Sequence, residues 1–318
     1  PPTPCTSQIF SLPSLRIHFF NHLLILITMN EEFKSLTIDA FRQKFSTIEQ
    51  CIDYLASCKW GNGYSCRQCG HTNYCKGAHY GDRQCTRCNK IESAKANTLF
   101  HSMKIPLDQA FYMLYLIVID KKGCPSTQLA RQTGLQLKTC LLFRRKVMMA
   151  MTSNDIHPLE GEVDVVTTTV SIVKADKHGK KRPRKVKVLI GIEKKGGGAA
   201  RSYVKVIGRA SARKAKAFIG KKIDSQATIN MDEAARRCCN GHCIMPGEGP
   251  DKALAHRVVT NMINWLYARH GHVTYLQDYL NEYCYRYNRH RMKGEILDDI
   301  ISRMVRHRPM TGKISACR

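Results

Sequence analysis

The sequence predicts an α+β multidomain protein in which an N-terminal metal ribbon and a helical segment precede an α/β domain. Three observations carry that expectation. Two C-x-x-C pairs lie close together in the first third of the chain, segments of helical period follow them, and beyond His157-Pro158 the apolar pattern switches to strand-like alternation. At 318 residues the chain is long enough for two or three small cores. Lysine and arginine number 51 against 25 acids, a formal charge of +26. Such a surplus repels itself unless a polyanion neutralises it, so nucleic acid is the expected partner and a merely solubilising surface does not account for it.

Residues 1–28 read as a leader outside the fold, because Met29 directly precedes a hydrophilic, helix-like start at Asn30, Glu31 and Glu32. The apolar stretch Leu15 to Ile27 is broken by Arg16, His18, Asn21 and His22, which makes it too short and too polar to span a bilayer. It also lacks a small-residue cleavage pattern. In residues 29–60, Ile38, Phe41, Phe45, Ile48, Ile52 and Leu55 recur at helical spacing and predict one or two short amphipathic helices.

Residues 61–100 hold the ribbon. Cys66-x-x-Cys69 and Cys85-x-x-Cys88 are separated by fifteen residues rich in turn formers. Each C-x-x-C turn aims two thiolates at one ion, and four thiolates satisfy the tetrahedral preference of Zn²⁺ without an open position for water, so the expected zinc is structural. Cys75, His71 and His79 are spare by this count. The chain has fifteen cysteines, but only these four fall into paired spacing, which fits reduced, metal-binding thiols better than a disulfide scaffold.

Across residues 101–155 a helix is expected from Pro106 to Ile119, with Leu107, Ala110, Phe111, Leu114 and Val118 on one stripe. A shorter helix from Ser126 to Gln132, a turn at Gly134 and a helix from Leu137 to Met151 follow. That outline fits a helix-turn-helix and equally a plain αα-hairpin. In the first case Lys138, Arg144, Arg145 and Lys146 supply phosphate or base contacts.

Residues 156–292 carry the α/β domain. Glu162 to Val173 reads as a strand, followed by a basic stretch from Lys174 to Lys187 that includes Lys180, Lys181, Arg182 and Arg184 and is expected as a DNA-contacting loop. Val186, Val188, Ile190 and Ile192 alternate along a second strand, Gly196-Gly197-Gly198 turns, and Arg201 to Ile207 returns as a third. A basic helix from Ala212 to Ile223 and a fourth strand from Ala227 to Asp232 complete the order of an RNase H-like α/β domain. Cys238-Cys239-x-x-His242-Cys243 reads as a loop with incidental thiols. Thr274-x-x-Gln277 is a capping box for a helix that turns Leu276, Tyr279, Leu280, Tyr283 and Tyr287 inward and leaves Arg286, Arg289 and Arg291 for DNA. Residues 293–318 form a C-terminal helix and tail, with Glu295, Asp298 and Asp299 as first-turn acids.

From about Phe41 to Arg291 the chain resembles the ISXO-type insertion-sequence transposases. The likeness rests on the cysteine ribbon, Asn97-Thr98-Leu99-Phe100-His101, Lys104, Pro106 and Leu107, Asp120-Lys121-Lys122-Gly123 with Gln128-Leu129-Ala130, and Gly161-Glu162-Val163. Later matches are His256-Arg257-Val258-Val259-Thr260-Asn261 with Trp265-Leu266, then Leu276, Tyr279-Leu280, Glu282 and Arg286-Tyr287-Asn288-Arg289. The resemblance implies Mg²⁺-dependent cleavage and strand transfer on double-stranded DNA, with acids holding two metal ions about four Å apart. It further implies binding to terminal inverted repeats and target DNA, a homo-oligomer on paired ends, no membrane, and a cytoplasmic, nucleoid-associated location of bacterial type.

Asp232 matches the family's second carboxylate, and Asn261 its third position in the subgroup that uses Asn there. Leu254, Val258, Asn261 and Trp265 fall within a stripe of about 60°, so the amide is expected to face the core. The first acid departs from the pattern: Val166 stands where the family has Asp, while Asp164 lies two residues earlier on the same strand face, about 6.6 Å away. Losing a metal-ligating carboxylate abolishes two-metal catalysis. Either Asp164 substitutes, or the chain is a catalytically silent DNA-binding relative. A zinc-ribbon transcription regulator is the third reading.

Overall fold

The computed structural model describes residues 36–120, 123–152, 157–175, 181–208, 212–239, 247, 249–269 and 275–310. The proposed leader, Lys180, His242, Cys243 and Thr274 lie outside them. The protein is α+β, and its buried apolar side chains form two cores.

The first core is helical. α1 (Ile38–Lys44) is capped by Thr37, whose hydroxyl accepts from the Ala40 amide. α2 (Ile48–Trp60) opens with a capping box in which Thr47 and Gln50 satisfy each other's backbone N–H groups. The ribbon strands β1 (Tyr74–Lys76), β2 (Arg83–Cys85) and β3 (Ile91–Glu92) follow in one antiparallel sheet. α3 (Leu107–Ile119) is the centre of this core: Leu107, Ala110, Phe111, Met113, Leu114, Tyr115, Ile117 and Val118 are all buried, and Phe111 meets Phe45, Tyr54 and Phe100. α4 (Ser126–Thr133) and α5 (Leu137–Ala150) form the expected helix pair, joined through Gly134 in the left-handed region at φ 70°. A β-carbon is strained there, which is why the turn takes glycine.

The second core sits on a four-stranded sheet of order β6-β5-β4-β7, made by β4 (Glu162–Ala175), β5 (Lys181–Lys195), β6 (Gly198–Gly208) and β7 (Thr228–Met231). β4, β5 and β6 are antiparallel, while β7 runs parallel to β4 after the crossover helix α6 (Ala212–Lys222). α7 (Glu233–Cys238), α8 (Lys252–Arg269) and α9 (Leu276–Asn288) complete the domain.

The basic stretch expected as a loop is mostly strand. β4 and β5 stay paired from Val163 with Glu193 out to Ala175 with Lys181, whereas β7 reaches only Val165 and β6 only Lys187. Beyond those points the hairpin is a two-stranded arm carrying exposed Arg182, Arg184, Lys185 and Lys187. Its root is held by the Tyr267 hydroxyl, which bonds both the N–H and the C=O of Ser171 at 3.0 Å.

The last helix, α10 (Ile296–Arg306), returns to the first core. Its Leu297, Ile300, Ile301, Met304 and Val305 are buried against α2, α3 and α5, and the Leu99 amide donates to the Met304 carbonyl at 3.0 Å. α9 joins the two cores. Glu282, with no solvent exposure, accepts from Arg144 of α5 at 3.0 Å and from Arg286 at 2.8 Å, while Arg286 also donates to the carbonyls of Ile117 and Asp120 at the end of α3. Removing one member of a buried ion pair leaves an uncompensated charge, at a cost of about 3–5 kcal/mol. Denaturant unfolding of Glu282→Gln is therefore expected to show a stability loss of about that size, and an unchanged midpoint would remove the cluster from the forces that hold the fold.

Candidate metal centre and strand-end pocket

The four expected cysteines come together. Their Sγ atoms all lie within 4.8 Å of one another, with Cys66 to Cys88 at 3.5 Å, Cys69 to Cys85 at 3.6 Å and Cys69 to Cys88 at 3.4 Å. A tetrahedral ion with bonds of about 2.3 Å needs sulfur separations of about 3.8 Å, so small shifts fit the set to a metal such as zinc. Two matching turns build it. Gly70 N–H donates to Cys66 O and Asn89 N–H to Cys85 O, while Cys66 N–H and Cys85 N–H donate back to His71 O and Lys90 O. Gly70 and Asn89 both sit at positive φ, 71° and 56°, as such a turn demands.

The same turns acidify two of the thiols, Cys66 and Cys85, while burial and neighbouring thiols push Cys88 up to about 12. N–H groups of Cys69 and Gln68 aimed at Cys66 hold its thiol down at about 6. Burial pushes the Cys85 thiol up, but the amides of Cys88 and Arg87 outweigh it and leave it below the usual range. The spare residues stay outside: the His71 ring bonds Thr86, and Cys75 is exposed. The ribbon is fixed to α2 by Arg83, whose guanidinium lies 4.3 Å from the Trp60 ring centre and 4.0 Å from that of Tyr74, and by buried Lys59 paired with Glu92 at 2.7 Å.

At the end of β7, Asp232 caps α7 and is held across the sheet. One carboxylate oxygen accepts from the Ala235 amide and the other from the Thr167 amide at 2.9 Å. Val166 lines a pocket with Asp232, Thr168, Arg236, Lys252 and His256. Asp164 lies deeper on the same sheet face. It is fully buried, and its oxygens accept from the Asn230 side chain at 3.2 Å and the Asp251 amide at 2.9 Å, with Lys194 3.7 Å away.

Asn261 does not join them. α8 buries Leu254, Ala255, Val258, Met262 and Leu266, so its inward stripe runs in steps of four through Met262 and leaves Asn261 exposed, contrary to the expected stripe through Trp265. Two expected DNA contacts are also corrected: Arg144 is buried against Glu282, and Arg286 is enclosed by Glu282 and the end of α3. Arg289 is held through Nε by Asp299 at 2.8 Å and keeps partial exposure. Lys138 is exposed, Arg145 is half-buried over the Tyr275 ring, and Arg182 and Arg184 are exposed on the arm, where Lys181 is the first residue of β5.

Sequence reasoning missed Asn230 and Asp251, which seal Asp164; it placed Asp299 in the first turn of the last helix but not its role in gathering Arg289, Arg303 and Tyr285. The i, i+4 spacing of Asp299 and Arg303 was the one local signal for them. Among the described residues no helix is long and apolar enough to cross a membrane. Comparison with protein-family models, with curated proteins and with solved structures finds no match to this chain.

Elemental analysis of the purified chain is expected to give about one metal ion per molecule, lost together with several degrees of thermal midpoint in Cys69→Ser. Full metal content in that variant would exclude the cysteines as ligands.

Proposed function

We propose that the protein is a zinc-bearing, DNA-binding relative of the insertion-sequence transposases, on an RNase H-like domain whose strand-end pocket does not support two-metal cleavage. The carrying observation is the pairing of Val166 with Asp232 in one pocket. Two Mg²⁺ ions need several convergent oxygen ligands. Here the position facing Asp232 is apolar, both Asp232 oxygens are engaged by amides, Asp164 is sealed beneath Asp251, and Asn261 faces away. These residues do not fit a pair of magnesium ions.

The RNase H-like reading is supported by the sheet order, with three antiparallel strands and a fourth running parallel beside the first. DNA binding is supported by the charge of +26 and by the cationic arm, since a two-stranded ribbon fits the major groove. The cysteine cluster holds the zinc, which ties the two turns of the ribbon to each other. Terminal inverted repeats are the expected target, bound by a homo-oligomer, and association with DNA places the protein at the nucleoid.

With about eight phosphate contacts, affinity for a duplex is expected to fall a thousandfold or more between about 50 and 200 mM salt. A flat salt response, read by fluorescence anisotropy, would sink the DNA-binding reading. With Mg²⁺ and a terminal-repeat duplex the protein is expected to leave the strands intact, and Val166→Asp alone to leave them intact as well, because Asp164 stays sealed and Asn261 still faces away. Nicking by the unaltered chain that disappears in Asp164→Asn would instead make Asp164 the first acid and the protein an active transposase. Absence of inverted repeats flanking the coding region would favour a zinc-ribbon regulator.

A further inference from the structure

Where the two cores meet, β6, α6, α9 and α10 enclose a cleft of about 530 Å³. Six cations line it, Arg201, Lys205, Lys222, Arg289, Arg303 and Arg306, against a single carboxylate, Asp299. That carboxylate is already engaged. One of its oxygens accepts from Arg289 Nε, Arg303 Nε and the Tyr285 hydroxyl, each at 2.8 Å. Both guanidinium groups also lie over the Tyr285 ring, 4.5 and 5.5 Å from its centre. Held from behind through Nε, the two arginines keep their terminal nitrogens without a protein hydrogen bond among the described residues. Arg201 is partly occupied, by the Pro158 carbonyl at 3.3 Å and Glu193 at 4.0 Å, and Lys222 lies over the Tyr203 ring. Lys205 and Arg306 are exposed at the rim.

We infer that this cleft binds phosphate groups, with Arg289 and Arg303 as a two-guanidinium clamp and Lys205 and Arg306 guarding the mouth. A guanidinium fork matches two oxygens of a phosphate, and two forks fixed by one carboxylate meet it without further loss of side-chain freedom. A ligand with one carboxylate would leave most of the lining charge unbalanced, whereas successive phosphodiesters or a polyphosphate carry charge to match. The volume is that of a small-ligand site. The site rests on the DNA-binding reading only for the source of the phosphate: a DNA strand supplies it as phosphodiester, and a free polyphosphate offers the same chemistry without DNA.

The test uses the full chain and two probes, a duplex of about 30 base pairs at low salt and inorganic pyrophosphate measured by calorimetry. A rim double variant, Lys205→Glu with Arg306→Glu, is compared with a charge-matched reversal on α6, Lys214→Glu with Lys216→Glu. The rim variant is expected to keep the thermal midpoint and to weaken binding about tenfold or more, with a smaller loss in the α6 control. Arg303→Gln should follow the rim variant. If the loss is confined to the duplex, a strand is the source. If it is confined to pyrophosphate, a free polyphosphate is the source, and failure of the unaltered chain to bind duplex would then sink the DNA reading while the cleft stands. Equal loss in the α6 control, unchanged binding of both probes by the rim variant, or no binding of either probe by the unaltered chain would each overturn the assignment.

Discussion

A carboxylate with no access to water, Glu282, lies between guanidinium groups from two distant parts of the chain, and the relation between the two cores depends on it. An isolated buried charge is so unfavourable that a partner must be supplied once α9 docks on the sheet. Arg144 supplies it from α5, and Arg286 extends the cluster to the last carbonyls of α3, groups that a helix end otherwise leaves unsatisfied. The backbone makes room for the cluster: at Gly123, with φ 82°, a β-carbon would stand 3.0 Å from the Glu282 oxygen. Apolar contact alone permits sliding, whereas this arrangement of charge admits one register.

α9 serves the sheet by a second device. β6 is an edge strand, and its outward backbone groups are met by side-chain amides rather than by another strand. Asn288 bonds both the N–H and the C=O of Ser202, and Gln277 bridges the Val204 carbonyl and the Val206 amide. An edge closed in this way cannot template pairing with another chain. The buried acids Glu282 and Glu92 take cations inward with them, Arg144 and Arg286 for the first and Lys59 for the second.

Much of the fold was legible in the sequence. The C-x-x-C spacing located the cysteine cluster, Val-, Thr- and Ile-rich sequence located β4, two-residue alternation located β5, the glycine run located the return into β6, and Gly134 marked the α4–α5 turn. What failed was anything decided between elements. Arg144 and Arg286 look like surface cations in a basic chain, and only a carboxylate 138 residues from Arg144 turns that one inward. Asn261 lay at the border of a helical stripe, where a rotation of one position exchanges inside for outside. The long arm was hidden because Lys, Arg and Pro183 are poor strand formers, and it exists through cross-strand pairing with the Val- and Thr-rich β4. The cationic cleft is assembled from four separate elements and has no sequence signature at all.

The return of α10 to the first core has a bearing on how the molecule is made. During synthesis the ribbon and helices α1 to α5 emerge long before α10 exists, so their apolar face stays open while the whole sheet domain is being produced. At ordinary translation rates that delay is on the order of ten seconds. The nascent N-terminal half therefore needs shelter from self-association, and the cysteine cluster, which closes within a short stretch of chain, is the part able to set firmly before the rest arrives.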